Sequence, residues 1–257
     1  MKKLLYFAFF SIFAFFGTVN CETITLNWLN ENGTTNQTTT CESGGNLVLP
    51  PAPTKTGYDF IGWLANYTPI EYLESTGTQY INTGVILNDN YIQVDLDISQ
   101  YTPNREYSVL CGSVKGNAKN AVHIHNNTLF INVGAASNIG ITNVSRFTPL
   151  HINYEFAYGG YKINVNEQNF TGVYSGVLKN DFPVYLFAYN EDNQTTWHTI
   201  MKLNGCKIYT DSNTLVRDFI PVIDYNGVPC MFDKVSRQFY YNAGTGDFIA
   251  GPVINYQ

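Results

Sequence analysis

Residues 92–98 read Ile-Gln-Val-Asp-Leu-Asp-Ile, with an apolar side chain at every second position and a polar side chain between. Successive side chains of a β-strand point to opposite faces, so this period of two predicts a strand that is buried on one side only. Residues 151–158 and 161–166 alternate in the same way around Gly159-Gly160, a pair that favours a tight hairpin turn. One-sided strands joined by a hairpin indicate an antiparallel β fold.

Short alternating segments of this kind continue from residue 67 to residue 257, separated by turn residues at intervals of about ten residues. Further examples are 183–189, 206–209, 215–223 and 237–241. Helical periodicity of useful length does not interrupt them. We therefore expect about ten to fourteen strands in two packed sheets.

The composition supports a folded, mostly β protein. The chain has 257 residues, of which 44% are hydrophobic and 15% aromatic, and its 21 Gly and 10 Pro supply turns. This apolar content excludes disorder as the main state. The net charge of -6 and the lack of a basic cluster argue against nucleic acid as a partner.

A smaller β module precedes this region. An alternating segment at 23–28 is followed by an Asn-Gly turn, a Thr-rich stretch at 34–40 and a short apolar segment at 47–49. The sequence Gly57-Tyr58-Asp59-Phe60-Ile61-Gly62-Trp63 comes next, downstream of Leu49-Pro50. This order resembles the Listeria-Bacteroides repeat of internalin B-repeats and many bacterial surface proteins. The resemblance implies a small ubiquitin-like β module at 22–66, used as a spacer or contact surface on cell envelopes.

Three segments of the longer region carry a second resemblance. They are 70–84 (IEYLESTGTQYINTG), 207–222 and 233–248, which contains FYYNAGTGDF. They look like modules of surface and phage-associated proteins of gut bacteria, similar to the laminin G-like or concanavalin A-like jelly roll. The resemblance implies a two-sheet antiparallel jelly-roll sandwich at 67–257. Jelly rolls serve as lectins, adhesion domains and enzymes alike, so the likeness does not choose a function.

The N-terminus has the layout of an export signal. Lys2 and Lys3 precede an apolar run at 4–16, and small and polar residues follow at 17–21. This layout predicts a signal peptide over residues 1–21, with cleavage after Cys21 and a secreted or cell-surface mature protein. Lipidation of Cys21 is the alternative, which would make the protein a lipoprotein. The apolar run is too short to span a bilayer comfortably, and no second run approaches that length, so we expect no transmembrane segment.

Four cysteines remain after such cleavage: Cys41, Cys111, Cys206 and Cys230. Their spacing matches no metal-binding pattern. In an exported chain they permit two disulfides of three connectivities, but a domain of this size does not need them. Disulfides and buried free thiols therefore stay open as alternatives.

Paired acids would be a catalytic signal in this fold. Jelly-roll glucanases carry Glu-x-Asp-x-x-Glu on one strand, because side chains two apart face the same cleft. Here Asp95 and Asp97 share a face, and Glu71 and Glu74 lie three apart, but neither pair has a third acid at the required offset. Such pairs are typical of a solvated sheet face, and we expect no enzyme activity.

His123 and His125 share a face and could supply half of a metal site, but further ligands are missing nearby. We interpret them as histidines of a polar face and predict no bound metal or other cofactor. Calcium remains an alternative because loop residues carry suitable oxygens. These residues are Asp89, Asn90, Asp192 and Asn193.

Residues 189–198 combine the groups that hold a sugar, an aromatic plate and polar side chains for its hydroxyls. We predict a ligand-binding patch there, formed by Tyr189, Asn190, Asp192 and Trp197. The alternative is an ordinary polar turn in which Trp197 returns to the core.

Three functions are compatible with these features. The favoured one is an exported, non-catalytic binding or adhesion protein that recognises a glycan or host ligand through the jelly roll. The second is a structural component of the cell envelope without a small ligand. The third, least supported, is a glycan-cleaving enzyme with dispersed acids.

Overall fold

The computed structural model describes residues 3–8, 23–29, 35–42, 58–64, 67–87, 91–102, 107–116, 118–126, 128–134, 137–141, 149–157, 159–174, 181–210 and 214–254. All regular structure in these ranges is β, and no helix there could cross a membrane. The chain divides into two compact units. The smaller comprises Met1–Thr68 with Asp224–Gly227, and the larger comprises Pro69–Ile223 with Val228–Gln257.

Four described strands lie wholly within the smaller unit: β1 (Lys3–Ala8), β2 (Thr23–Leu29), β3 (Thr35–Glu42) and β4 (Tyr58–Leu64). β2 and β3 form an antiparallel hairpin, and β1 pairs in parallel with β4. The alternating segment at 23–28 forms a strand, as predicted, and the Thr-rich stretch and the motif at 57–63 also form strands, β3 and β4. The segment predicted at 47–49 lies outside the described residues. Removal of residues 1–21, which include β1, stays a prediction about processing.

The larger unit is built from two sheets that share one hydrophobic core. Sheet I has eight strands, in the order β12-β11-β10-β9-β16-β7 with β17 and β18 beside this path. Its strands are β7 (Ile81–Ile86), β9 (Tyr107–Lys115), β10 (Ala118–His125), β11 (Thr128–Gly134), β12 (Ser137–Ile141), β16 (Pro183–Leu186), β17 (Tyr189–Glu191) and β18 (Gln194–Thr196).

Sheet II has eleven strands, with β15-β14-β13-β8-β19-β20-β21-β22 as its main path. Its strands are β5 (Tyr67–Pro69), β6 (Leu73–Glu74), β8 (Tyr91–Thr102), β13 (Leu150–Ala157), β14 (Gly160–Val165), β15 (Gln168–Gly172), β19 (Ile200–Tyr209), β20 (Leu215–Asp224), β21 (Pro229–Asp233), β22 (Gln238–Tyr240) and β23 (Ile249–Ala250). Neighbours on this main path are antiparallel.

The alternation of apolar and polar residues that predicts the fold coincides with an alternation of buried and more exposed side chains. On β8, Ile92, Val94, Leu96 and Ile98 are completely buried, whereas Asp97 between them is exposed. Sheet I contributes its own alternate residues to the same core, among them Val122, Ile124, Leu129, Ile131 and Val133. The predicted mostly β fold with a two-sheet antiparallel sandwich is confirmed.

The expected number of strands was too low. The two sheets hold eight and eleven described strands, and several of these are only two or three residues long. The segment predicted as one strand at 183–189 is also divided, because the chain turns at Phe187 and Ala188 between β16 and β17. Phe187 has a φ of 71°, in the left-handed region, which cannot continue a strand.

Two of the segments that carry the jelly-roll resemblance contact each other. Residues 76–80 and 243–247 form what we call the C-terminal clasp. The amide of Ala243 donates to the carbonyl of Tyr80 at 3.0 Å, and the Thr78 hydroxyl donates to the carbonyl of Thr245 at 2.7 Å. Gly244 packs so closely that a Cβ there would lie 2.1 Å from the Thr78 carbonyl oxygen. The clasp joins the two ends of the larger unit's sequence.

Three of the four cysteines are buried free thiols: Cys111, Cys206 and Cys230. Burial raises the pKa of the Cys111 thiol to about 12, so it stays protonated and unreactive at neutral pH. The free-thiol alternative is confirmed for these residues, and the side chain of Cys41 lies outside the described part.

Candidate functional site

The predicted patch at 189–198 is a hairpin, β17–β18. Its turn residues Asp192 and Asn193 have φ values of 51° and 62°, the left-handed pair of a type I′ turn. Asn190 is completely buried beneath the turn. Its Oδ1 accepts from the Asn193 amide at 2.9 Å, and its Nδ2 donates to the Pro183 carbonyl at 2.9 Å. Asn190 therefore fixes the hairpin, and its amide has no surface to offer a ligand.

Two aromatic residues in the left-handed conformation bracket this hairpin. Phe187 precedes it, is buried in the core and lies 4.9 Å from the ring of Phe248. Trp197 follows it with a φ of 55°, and its half-buried ring meets Tyr107 edge-on at 5.3 Å. Bulky side chains rarely adopt this backbone conformation, which costs roughly 1–2 kcal/mol. The fold thus holds the Trp197 ring against Tyr107 at a cost in backbone strain.

Tyr107 belongs to an aromatic cluster on the face of sheet I that points away from the core. The register sets two rows across the sheet, because Tyr107 and Thr128 both pair with His125, while Phe130 pairs with His123. The Tyr107 and His125 rings meet edge-on at 4.2 Å. His123 and Phe130 stack at 5.2 Å with planes 18° apart. Cross-strand pairing therefore assembles rings from three strands.

Gly140 of β12 is the cross-strand partner of Phe130, and a glycine has no side chain to fill the space beside the Phe130 ring. A Cβ on Gly140 would lie 3.0 Å from the Phe130 ring. The rings and Asn126 line an open pocket of about 320 Å³, which we call the aromatic pocket. It is lined by Tyr107, His123, His125, Asn126, Thr128 and Phe130.

Burial controls the electrostatics of this pocket. His123 is only 8% exposed, and burial, followed by the charges of Lys119 and His125, lowers its pKa to about 4. The Tyr189 hydroxyl oxygen lies 3.4 Å from His123 Nδ1, and burial raises the pKa of Tyr189. At neutral pH both side chains are uncharged, and the pocket presents rings, an amide and hydroxyls.

The four predicted ligand-binding residues do not lie together in the structure. Tyr189 and Trp197 lie against the aromatic pocket, Asn190 is internal to the hairpin, and Asp192 is exposed at the hairpin turn. Sequence reasoning missed the residues that line the pocket, although it placed His123 and His125 on one face. It interpreted them as histidines of a polar face; in the structure His123 is 8% exposed and stacks on Phe130.

In the described part of the chain, no three His, Cys, Asp or Glu side chains gather as metal ligands. Asp192 and Asn193, two of the calcium candidates, form the hairpin turn, while Asp89 and Asn90 lie outside the described residues. Calcium binding stays an untested prediction.

The acids of β8 lie in a second depression, on the outer face of sheet II. This charged groove measures about 220 Å³ and is lined by Asp95, Asp97, His151, Gly205, Cys206, Lys207, Asp218, Phe219, Ile220 and Lys234. His151 Nε2 lies 3.5 Å from Asp95, and Lys234 Nζ lies 2.7 Å from Asp218. Burial raises the pKa of Asp95, and His151 and Lys207 oppose that rise. The alternating charges are those of an ion-paired sheet face.

The two acids of the other pair, Glu71 and Glu74, have different surroundings. Glu74 lies 4.0 Å from Lys202, and Glu71 is exposed.

Comparison with known protein families finds a match for one part of the chain. Residues 25–87 match the Listeria-Bacteroides repeat domain. The resemblance predicted from the Gly-Tyr-x-Phe-x-Gly-Trp motif is confirmed. The match to the repeat continues beyond residue 66 and reaches into β7 of sheet I. No curated protein matches the sequence.

Among the solved structures, one shares the fold over most of this chain. A Bacteroides ovatus protein that is proposed to bind carbohydrate superimposes with a TM-score of 0.52 at 10% identity, over 93% of this chain and 70% of that one. Domains LG4-5 of the mouse laminin alpha1 chain give 0.43 at 10% identity, over 75% and 48%. The CBM40 of the Ruminococcus gnavus IT-sialidase gives 0.40 at 14% identity, over 57% and 90%. Likeness at these identities concerns the fold alone.

Proposed function

We propose that this protein is an exported, non-catalytic binding protein that holds a glycan in the aromatic pocket of sheet I. The repeat at its N-terminal end would space or present the sandwich on a bacterial surface. The mature protein would act at the cell surface or outside the cell.

The aromatic pocket is the observation that carries this proposal. Sugar rings bind through their apolar faces to aromatic side chains and through their hydroxyls to amides, hydroxyls and imidazoles. Tyr107 and Phe130 supply rings, and Asn126, Thr128 and His125 supply polar groups at the same opening. The Bacteroides ovatus protein of similar fold, itself proposed to bind carbohydrate, supports a glycan as the ligand class.

The charged groove supports a role without catalysis. A glycosidase needs one carboxyl group as acid and a second as base or nucleophile. Asp218 of the groove instead forms an ion pair with Lys234, and Asp95 lies 3.5 Å from His151 Nε2. We therefore expect mixed polysaccharides to release no new reducing ends when they are incubated with the protein.

A glycan array, with and without calcium, tests the proposal. The wild type should retain glycans, and Trp197→Gly should weaken retention because the ring that abuts Tyr107 is gone. Glycine suits the φ of 55° at this position, so relief of backbone strain offsets part of the lost ring packing and the variant should stay folded, as its melting temperature will show. Tyr225→Ala, which removes an exposed ring from the 224–227 turn, is the matched control.

Failure of the wild type on every glycan, in both conditions, would refute the proposal. That outcome would favour the structural envelope role, in which sheet faces pack against other proteins.

A further inference from the structure

The aromatic pocket belongs to a longer series of rings on the larger unit, and what we infer from this series rests on the proposed function. Trp197 meets Tyr107 at the pocket, and His198 follows Trp197 in the chain. The ring of Tyr80 lies edge-on to that of His198 at 6.2 Å. All four residues are half-buried, so part of each remains exposed at the surface.

The register places the far end of this series on the same sheet face as the pocket. Tyr80 stacks on Tyr185 at 4.7 Å, with ring planes 27° apart. Tyr185 pairs with Gly112 of β9, which in turn pairs with Ala121 of β10. Cross-strand partners share a face, and Ala121 shares its face with His123 two positions later. The Tyr80–Tyr185 stack and the aromatic pocket therefore lie on one face of sheet I.

The other end of the pocket leads to Gly140 of β12, the last strand on the main path of sheet I. Gly140 is exposed, and a Cβ on it would lie 3.0 Å from the Phe130 ring and 3.4 Å from the Thr128 methyl group. A side chain at this position would stand beside both lining residues. The glycine thus leaves room for a ligand to continue from Phe130 toward the edge of the sheet.

These features follow the strand order across the whole sheet. Strands of a sheet lie about 4.8 Å apart, so six neighbouring strands give the series an extent of roughly 24 Å across the sheet. A single sugar ring fills only part of such a length. The strands and their residues are β7, which follows Tyr80, β16 with Tyr185, β9 with Tyr107, β10 with His125, β11 with Phe130 and β12 with Gly140.

We infer that these residues form an aromatic track, from Tyr80 through the aromatic pocket to Gly140, and that the track binds an internal stretch of a linear oligosaccharide. One sugar unit occupies the aromatic pocket against Phe130. Units on one side of it contact Trp197 and Tyr80 through their apolar faces. On the other side the chain leaves past Gly140, so the ligand crosses the strands instead of ending in the pocket.

Cello-, manno- and xylo-oligosaccharides test the track by calorimetry with the full chain. A hexasaccharide should bind at least about tenfold more tightly than the disaccharide of the same series, because its further units reach Trp197 and Tyr80. Tyr80→Ala should weaken hexasaccharide binding about tenfold and disaccharide binding less. Tyr225→Ala, which removes an exposed ring elsewhere, should leave both affinities unchanged.

A second variant keeps the test independent of Tyr80, whose backbone also belongs to the C-terminal clasp. Gly140→Ala adds a methyl group at the exit and should weaken hexasaccharide binding about tenfold. Gly205→Ala is its matched control. It adds the same methyl group to β19 of sheet II, where the nearest atom would lie 3.4 Å away, and it should leave binding unchanged.

Equal affinity for disaccharide and hexasaccharide would overturn the track and leave the proposed function standing. Retention of glycans by the array without binding to any of the three series would do the same. A dependence on length that neither Tyr80→Ala nor Gly140→Ala reduces would place the ligand elsewhere and also overturn the track. A lack of binding to the array and to all three series would overturn both the track and the proposed function.

Discussion

Sequence places Asn190 correctly beside the aromatic residues of the hairpin but predicts that its amide contacts a ligand, whereas in the structure the amide stabilises the hairpin. An Asn beside aromatic residues in a polar segment resembles a sugar contact in sequence. In the structure its two polar groups are used by Asn193 and Pro183, at 2.9 Å each. Sequence cannot separate these roles, because both need an amide beside a turn.

Replacement of Asn190 tests its structural role. Asn190→Ala should lower the free energy of unfolding by about 1–3 kcal/mol, because the part-buried Asn193 amide and Pro183 carbonyl lose their partner. Urea denaturation monitored by tryptophan fluorescence measures the change. Asp192→Asn, at the exposed turn position beside it, should cost little because Asn tolerates a positive φ. A stable Asn190→Ala protein would show that the hairpin does not depend on this residue.

His123 should make stability depend on pH. Its pKa falls from 6.5 to about 4 on folding, so between these values the unfolded chain binds more protons than the folded protein. Stability is then greatest above pH 6.5 and decreases as the pH is lowered toward 4, by up to about 3 kcal/mol.

A comparison of two proteins isolates this contribution from that of the carboxylates. His123→Phe keeps a ring against Phe130 but does not titrate, so its stability should decline less between pH 7 and pH 4 than that of the wild type. Parallel pH profiles of the two proteins, measured by urea denaturation, would contradict the buried neutral state of His123.

Elements with strong alternation were predictable, and elements held by distant partners were not. The β13–β14 hairpin follows from Gly159-Gly160 and the alternation around it, since local sequence specifies both turn and register. β6 and β23 are two residues each and exist because they pair with each other. Their short sequences carry no periodic signal, so a sequence-based estimate undercounts such strands.

The C-terminal clasp gives a physical reason for two glycine-rich motifs. Gly244→Ala places a Cβ against the Thr78 carbonyl, and backbone on both sides leaves little freedom to move. We expect a loss of about 1–3 kcal/mol in unfolding free energy, as for other overpacked sites. Gly227→Ala, where a Cβ would meet no atom within 4 Å, controls for the steric clash and carries only the cost of its φ of 82°. A larger loss for Gly227→Ala would contradict the clasp as the tighter constraint.

At the scale of the whole molecule, the sandwich was predictable because apolar residues at alternate positions of the strands indicate which face is buried. The site was not, because the aromatic pocket takes residues from β9, β10, β11 and the turn between β10 and β11, and Trp197 comes from a segment far along the chain. Alternation shows that His123, His125 and Phe130 face away from the core, but only the register places them in adjoining rows. The proposed binding site depends on that register.

The four histidines of the chain allow the central claim to be tested directly. Two of them, His123 and His125, line the aromatic pocket, and His151 lies in the charged groove of the other sheet. Titration with a neutral pyranoside, followed through the imidazole carbon-proton NMR signals, should shift the signals of His123 and His125 in a saturable way and leave that of His151 unchanged. A shift confined to His151, or no shift at any histidine, would contradict binding in the aromatic pocket.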